Sequence, residues 1–253
     1  MKLPKVGDFD ARALDLLVST EALCRDADAA SVARLDDWLD GNPVRTRNTG
    51  ALRHDELTHR LSPWMGGADD ATHAQGRSLL EMRALARLDL PPARAVVHEG
   101  AHAFANTLVA VARAVGEDDA ALRRGPVASL RDANGVRIVY PAPGLIRPRL
   151  DEIRDYARAH IAECRALVAT VAMVAIMNVH PFGDGNGRVA RVVFNWMMLE
   201  RARRFAYLPL SELAALSDGG FLLRLREAQY FGRWNGLVQF IHLAASRLFG
   251  SES

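Results

Sequence analysis

One stretch of twelve residues is the most informative part of this chain for its fold and its chemistry: His180-Pro-Phe-Gly-Asp-Gly-Asn-Gly-Arg-Val-Ala-Arg191. A nearly apolar segment at 166–179 precedes the stretch, and a segment with apolar residues at helical spacing, 188–204, follows it. Pro181 cannot continue a helix, so the stretch predicts a loop that joins two helices. The apolar segment is too short to cross a bilayer, which predicts a buried core helix.

The stretch brings together groups that handle phosphate. His180 is a side chain that can accept a proton from a hydroxyl near neutral pH. Asp184 is a candidate ligand for Mg²⁺, which needs only one or two protein carboxylates beside phosphate oxygens. Arg188 and Arg191 lie three positions apart at the start of the second helix, where backbone N–H groups attract anions. Asn186 adds a hydrogen-bond donor, so the residues predict phosphoryl or nucleotidyl transfer to a hydroxyl.

The rest of the chain is predicted to be mostly helical. Val136–Tyr140 is the exception, because a β-branched run after Asn134-Gly135 and before Pro141 predicts one strand of a hairpin. Apolar residues at helical spacing predict helices at 11–25, 33–39, 78–87, 92–115, 148–164, 161–178, 188–204, 210–216, 221–230 and 234–249. The fold class is therefore all-α with one small hairpin.

Composition narrows the class of protein. The chain has 253 residues, and its 30 acidic residues nearly balance its 32 basic ones. The arginines are scattered, which argues against a nucleic-acid surface. Cys24 and Cys164 form no disulfide framework, and the N-terminus lacks the apolar core of a signal peptide. We expect a cytoplasmic protein, with secretion by a route without such a signal as the alternative.

Residues 180–191 match every specified position of HPFx(D/E)GNGRxxR, the signature of the Fic family, and the chain resembles that family over about 113–249. The resemblance implies a Fic-type helical bundle with a β-hairpin flap that holds the target protein. It divides the chain into an N-terminal helical extension at 1–112 and a Fic domain at 113–249. The flap residues are Val136, Arg137, Ile138, Val139 and Tyr140.

The resemblance also implies an activity, AMP transfer from Mg-ATP to a Ser, Thr or Tyr hydroxyl of a protein target. His180 would be the general base, and Asp184 would hold Mg²⁺. The intact Gly185-Asn-Gly-Arg188 favours AMP, since relatives that transfer phosphate or phosphocholine tend to carry Ala at the first of these glycines. The partner implied is a protein target. Self-modification and a homodimer are left open by the sequence, and the scattered arginines and the short apolar segment lead us to expect no nucleic-acid and no membrane partner. The residues implied to contact the phosphates are Gly185, Asn186, Gly187, Arg188 and Arg191.

A second motif, His98-Glu99-Gly-Ala-His102, allows two interpretations. As HExxH it is the pattern of zinc hydrolases, although a third ligand is not evident. As a degenerate form of the Fic family's inhibitory motif, on a helix near 92–106, it makes Glu99 a regulatory residue that pairs with Arg191. Three alternatives to AMP transfer remain at this point: another Fic-type transfer or the removal of AMP, a silent nucleotide-binding module, and the zinc hydrolase.

Overall fold

The computed structural model describes residues 1–39, 77–116, 120–129, 137–198, 207–217 and 219–249. In this part of the chain the fold is helical, which confirms the predicted all-α class. Single turns of 3-10 helix lie at Val6–Asp8 and Pro143–Leu145. The α-helices are α1 (Ala11–Leu39), α2 (Arg77–Arg87), α3 (Ala93–Glu99), α4 (Ala101–Ala114), α5 (Ile146–His160), α6 (Arg165–Val179), α7 (Asn186–Met198), α8 (Leu210–Leu216), α9 (Gly220–Phe231) and α10 (Asn235–Phe249).

The centre of the fold is the pair formed by α6 and α7. Helix α6 is apolar on all sides and is surrounded by α1, α5, α7 and α9, so nearly all of its residues are buried. Helix α7 turns its apolar face, including Val189, Val193 and Trp196, into the same cluster. The indole Nε1 of Trp196 donates to the carbonyl of Pro91 at 3.0 Å, which satisfies the polar atom of this buried ring.

The first helix supports the start of the central one. Leu17 of α1 is buried in the common core, and α1 packs against both α6 and α10. The carboxylate of Glu21 accepts hydrogen bonds from the backbone N–H of Arg165 at 2.7 Å and from that of Ala166 at 3.4 Å. These N–H groups have no partner inside α6, so Glu21 caps that helix from a distance in sequence.

Two helix predictions need correction. The predicted helix at 92–115 is two helices, α3 and α4, because Gly100 has a φ of 142° and interrupts the helical backbone. Conversely, the segments at 11–25 and 33–39, which were predicted as separate helices, form one continuous helix, α1. The remaining helices lie where the apolar periodicity predicts them, with shifts of a few residues at their ends, and the part of the predicted helix 188–204 beyond 198 lies outside the described residues.

The predicted β-hairpin flap is not seen as a pair of strands. Among the described residues, the segments around it share one isolated antiparallel bridge, between Ala128 and Val139. Two backbone hydrogen bonds flank the bridge, from Ser129 N–H to the Ile138 carbonyl at 2.8 Å and from Tyr140 N–H to the Val127 carbonyl at 3.1 Å. This pairing is too short for a regular ladder, and the predicted turn and Val136 lie outside the described residues.

The division of the chain after residue 112 stays a prediction, and that position lies inside α4. Buried residues from both sides of it, such as Leu17 and Ile176, belong to one hydrophobic cluster. In the described ranges, no helix is both long enough and apolar enough to span a bilayer.

We expect Glu21→Gln to lower the free energy of unfolding by about 1–2 kcal/mol, because it removes a charged cap from the N-terminus of α6. Urea unfolding followed by circular dichroism measures the change. Asp26→Asn is the matched control, since Asp26 lies on the same helix with a side chain 74% exposed, and we expect it to change stability by less than about 0.5 kcal/mol. Equal effects of the two substitutions would contradict the capping role.

Candidate active site

His180 lies at the point where α6 ends. Its backbone is left-handed, with φ 52° and ψ 60°, and its N–H donates to the carbonyl of Ile176 at 2.9 Å. A residue other than glycine rarely adopts this conformation, which costs roughly 1–2 kcal/mol. Because Pro181 also disfavours a helical residue before it, the chain leaves the helix sharply at His180.

The imidazole of His180 is held from two directions. Its Nδ1 lies 3.4 Å from the carbonyl of Met177, and the ring of Tyr140 stacks on it with centroids 3.8 Å apart and planes 13° from parallel. A carbonyl can only accept a hydrogen bond, so Nδ1 carries the proton and Nε2 is the atom left to act as a base.

The pKa of His180 lies below its ordinary value, chiefly because burial disfavours the charged imidazolium. The hydrogen bond to Met177 acts in the opposite direction. Among the charged neighbours, Arg123 lowers the pKa of His180 and Asp184 raises it. The net effect keeps the imidazole neutral, which is the form that can accept a proton.

The loop after His180 is closed by Asn186. The carboxamide oxygen of Asn186 accepts from the backbone N–H of Phe182 at 2.9 Å, and its nitrogen donates to the Phe182 carbonyl at 3.0 Å. Asn186 is 3% exposed, and the Phe182 ring anchors the loop in the core. In this structure the Asn186 side chain therefore closes the loop, and its expected contact with phosphate stays a prediction.

The loop leads directly into the N-terminus of α7. This helix begins at Asn186, and its first N–H groups have no partner within the helix, as a phosphate site requires. Gly185 has a φ of 74°, a conformation that favours glycine. At Gly187 a Cβ atom would lie 3.2 Å from Nη1 of Arg191, so the absence of a side chain leaves room for that guanidinium.

Asp184 and Arg188 lie at the mouth of this loop. The Asp184 side chain is 86% exposed and lies 3.5 Å from Nη2 of Arg188. The other terminal nitrogen of Arg188 donates to the carbonyl of Val115 at the end of α4 at 2.9 Å. A solvent-exposed carboxylate beside a free helix N-terminus fits an Mg²⁺ ion that reaches the site with a polyphosphate.

The partner of Arg191 is Glu81, and the expected pairing with Glu99 is wrong. Nε of Arg191 donates to the two carboxylate oxygens of Glu81 at 3.0 and 3.2 Å, and Nη2 also donates to this carboxylate. The hydroxyl of Tyr207 donates to the same carboxylate at 3.1 Å. Glu81 lies on α2 and its side chain is 2% exposed, whereas Glu99 ends α3 and is exposed to solvent.

The HExxH motif does not form a metal site in this fold. Gly100 separates α3 from α4, so His98 and His102 are not one turn apart on a single helix, and both side chains are exposed. Over the described ranges, no three His, Cys, Asp or Glu side chains are grouped as a metal site would need. The helical spacing of His98 and His102 on which the zinc-hydrolase alternative rests is therefore not found here.

Sequence reasoning missed two residues of the site, Glu81 and Arg123. Glu81 meets Arg191 only through the packing of α2 on α7, and Arg123 lies in the irregular segment after α4. Arg123 is 8% exposed, and its guanidinium donates to several backbone carbonyls around His180. An isolated arginine in a loop carries no pattern that would have indicated this position.

Comparison with known proteins gives one family match and a similar solved structure. The sequence model of the Fic/DOC family matches residues 107–198, which include α6, the loop and α7. No curated protein matches the chain. Among solved structures, a Fic family protein from Desulfovibrio desulfuricans G20 has a similar fold, with a TM-score of 0.58 and 14% sequence identity over 99% of this chain and 75% of that one. The chain thus contains a region that matches the Fic/DOC family, within a fold similar to that of a solved Fic family protein.

Proposed function

We propose that this protein transfers AMP from Mg-ATP to a hydroxyl group of a protein target. The observation that supports it most is the imidazole of His180, which is held neutral with Nδ1 on a backbone carbonyl, at one end of a short loop. The other end of that loop is the N-terminus of α7, with Arg188 and Arg191 in its first turns. A base and an anion site so close together suit the attack of a hydroxyl on a phosphate.

In the proposed reaction, Nε2 of His180 takes the proton of a Ser, Thr or Tyr hydroxyl. The hydroxyl oxygen forms a bond to the α-phosphorus of ATP, and the bond from that phosphorus to the bridging oxygen of the β-phosphate breaks. Pyrophosphate leaves, and AMP remains on the target as a phosphodiester. Asp184 would bind the Mg²⁺ that arrives with ATP, and this ion would neutralise charge on the phosphates.

The resting state of this site involves Glu81. The guanidinium of Arg191 is paired with a buried carboxylate, so it is not available to the terminal phosphate of ATP. The Glu81 carboxylate also accepts from Tyr207, so it is bonded both to α7, through Arg191, and to the segment before α8. We propose that Glu81, in place of the expected Glu99, restrains transfer.

The segment at 137–140 is the proposed docking site for the target. It is extended and lies beside His180, with the Val139 side chain 69% exposed. An extended target segment could add backbone hydrogen bonds there, as strands do at sheet edges. The protein itself is a second candidate target, since a hydroxyl-bearing segment of another copy could enter the same site.

We expect His180→Ala to lower transfer by about 10²–10⁴-fold, because it removes the general base. The assay incubates protein with ATP labelled at the α-phosphate or the γ-phosphate, in the Glu81→Gly background. Transfer of the α label alone identifies AMP as the group moved, and γ label on protein would instead indicate phosphorylation. His98→Ala is the control with an exposed histidine, and undiminished labelling in His180→Ala would overturn the assigned role.

The rate of transfer should stay high at pH values below about 6.5, the ordinary pKa of histidine. Burial lowers the pKa of His180, so the imidazole is still neutral where an ordinary histidine is protonated. A pH–rate profile under single-turnover conditions measures this. An acidic limb centred above pH 6.5 would contradict the prediction.

Replacing the buried carboxylate should activate the protein. Glu81→Gly frees Arg191, and a charge-assisted hydrogen bond to phosphate of about 1.5–3 kcal/mol corresponds to roughly 10–100-fold tighter ATP binding or faster transfer. Isothermal titration with ATP and the labelling assay measure the two effects. Glu99→Gly is the matched control and should change neither.

Tyr207→Phe should give a smaller activation, because it removes one of the hydrogen bonds that hold Glu81. Equal activity of wild type, Glu81→Gly and Glu99→Gly would refute restraint by Glu81. Binding of ATP without transfer in Glu81→Gly would favour a silent nucleotide-binding module.

A further inference from the structure

Arg123 satisfies the carbonyls at the end of α6. Its backbone N–H donates to the carbonyl of Pro181 at 2.9 Å, and its Nε donates to that of His180 at 2.7 Å. Its Nη2 lies 3.5 Å from the carbonyl of Val179. The last carbonyls of a helix have no partner within it, and a cation there also interacts favourably with the helix dipole. Arg123 therefore stabilises the strained backbone that carries His180.

The same guanidinium reaches the segment on the other side of the imidazole. Nη1 donates to the carbonyl of Gly125 at 2.8 Å, and Nη2 donates to the carbonyl of Pro141. Pro141 directly follows Tyr140, whose ring stacks on His180. One side chain thus binds the residue that follows the stacked tyrosine and the histidine itself.

The segment of Arg123 holds Tyr140 at a second point. The carbonyl of Val127 accepts from the N–H of Tyr140 at 3.1 Å, beside the bridge between Ala128 and Val139. Tyr140 is therefore fixed on its N-terminal side by backbone pairing and on its C-terminal side by Arg123. The stack of Tyr140 on His180 follows from these two attachments.

We propose that Arg123 is a positioning residue that holds the imidazole of His180 and the segment at 137–141 in one fixed arrangement. In the reaction proposed above, the segment would present the target hydroxyl to Nε2 of His180, so their relative position sets the attack distance. This catalytic consequence rests on the proposed function. The arrangement itself can be measured without nucleotide or target.

Arginine suits this position better than lysine. Its planar fork donates in several directions at once, and it keeps its charge when buried, although burial lowers its pKa. In the described part of the chain, Arg123 is paired with carbonyl groups and with no carboxylate. Lysine would keep the charge but could not reach both sides of the imidazole with fixed geometry.

The first experiment measures the stack by NMR of the His180 imidazole. The Tyr140 ring shifts the His180 Cε1–H resonance, and Tyr140→Leu gives the position of that resonance without the ring. We expect Arg123→Gln to move the resonance most of the way to this position, and Arg123→Lys to move it part of the way. Arg124→Gln is the matched control, because Arg124 is the exposed neighbour of Arg123, and it should leave the resonance in place.

An unmoved His180 resonance in a folded Arg123→Gln protein would overturn the proposal, with circular dichroism as the check of folding. If Arg123→Gln does not fold, Arg123→Lys decides the question: a shifted resonance supports the proposal and an unmoved one overturns it. This experiment is independent of the proposed function, because it requires no transfer.

The second experiment measures transfer in the Glu81→Gly background. We expect Arg123→Gln to lower kcat by about 100-fold, the effect of misplacing reacting groups by about 1 Å, and to leave KM for ATP unchanged. Arg123→Lys should recover part of kcat. Equal loss of kcat in Arg124→Gln, or a rise in KM for ATP alone, would contradict a positioning role. Absence of transfer in every variant, including Glu81→Gly alone, would refute the proposed function and leave the NMR result standing.

Discussion

The abrupt end of α6 is the constraint on which the site depends. Nearly all residues of the helix are buried, and its last carbonyls have no partner within the helix, so they need donors from elsewhere in the fold. The left-handed backbone of His180 costs roughly 1–2 kcal/mol, and Arg123 offsets this by donating to the carbonyls at that end. Asn186 then closes the loop, so that α7 begins a few residues after His180. The base and the anion site are neighbours because this turn is so short.

Local sequence patterns were sufficient for this part of the molecule. The apolar run before Pro181 predicted a buried helix, and the glycines and arginines after it predicted the start of another. These patterns predict α6 and α7 correctly because each helix has its own apolar periodicity and Pro181 interrupts the helix between them. A single glycine was harder to interpret: Gly100 could lie within a helix, and only its φ of 142° shows that α3 and α4 are separate.

Contacts between residues far apart in the sequence could not be predicted from local patterns. Glu81 and Glu99 are both acidic residues of helical segments, and the motif that resembled an inhibitory helix contained Glu99. Which carboxylate reaches Arg191 depends on the packing of α2 against α7, and no spacing within either helix reports it. Asn186 shows the converse case. Its position in the motif suggested a hydrogen bond to phosphate. A carboxamide can also bind a backbone N–H and a carbonyl together, and the Asn186 side chain does so with Phe182.

The burial of Glu81 determines what can release Arg191. Removing one partner of a buried ion pair typically costs 3–5 kcal/mol, since the other charge is left without a counterion. A phosphate of ATP could replace the carboxylate beside Arg191, but it would leave Glu81 buried next to a second anion. The exchange is therefore more favourable when Glu81 becomes exposed to solvent. Because Glu81 lies on α2, exposure requires α2 to move away from α7. In the proposed function, a partner or modification that displaces α2 would activate transfer more effectively than a higher concentration of ATP.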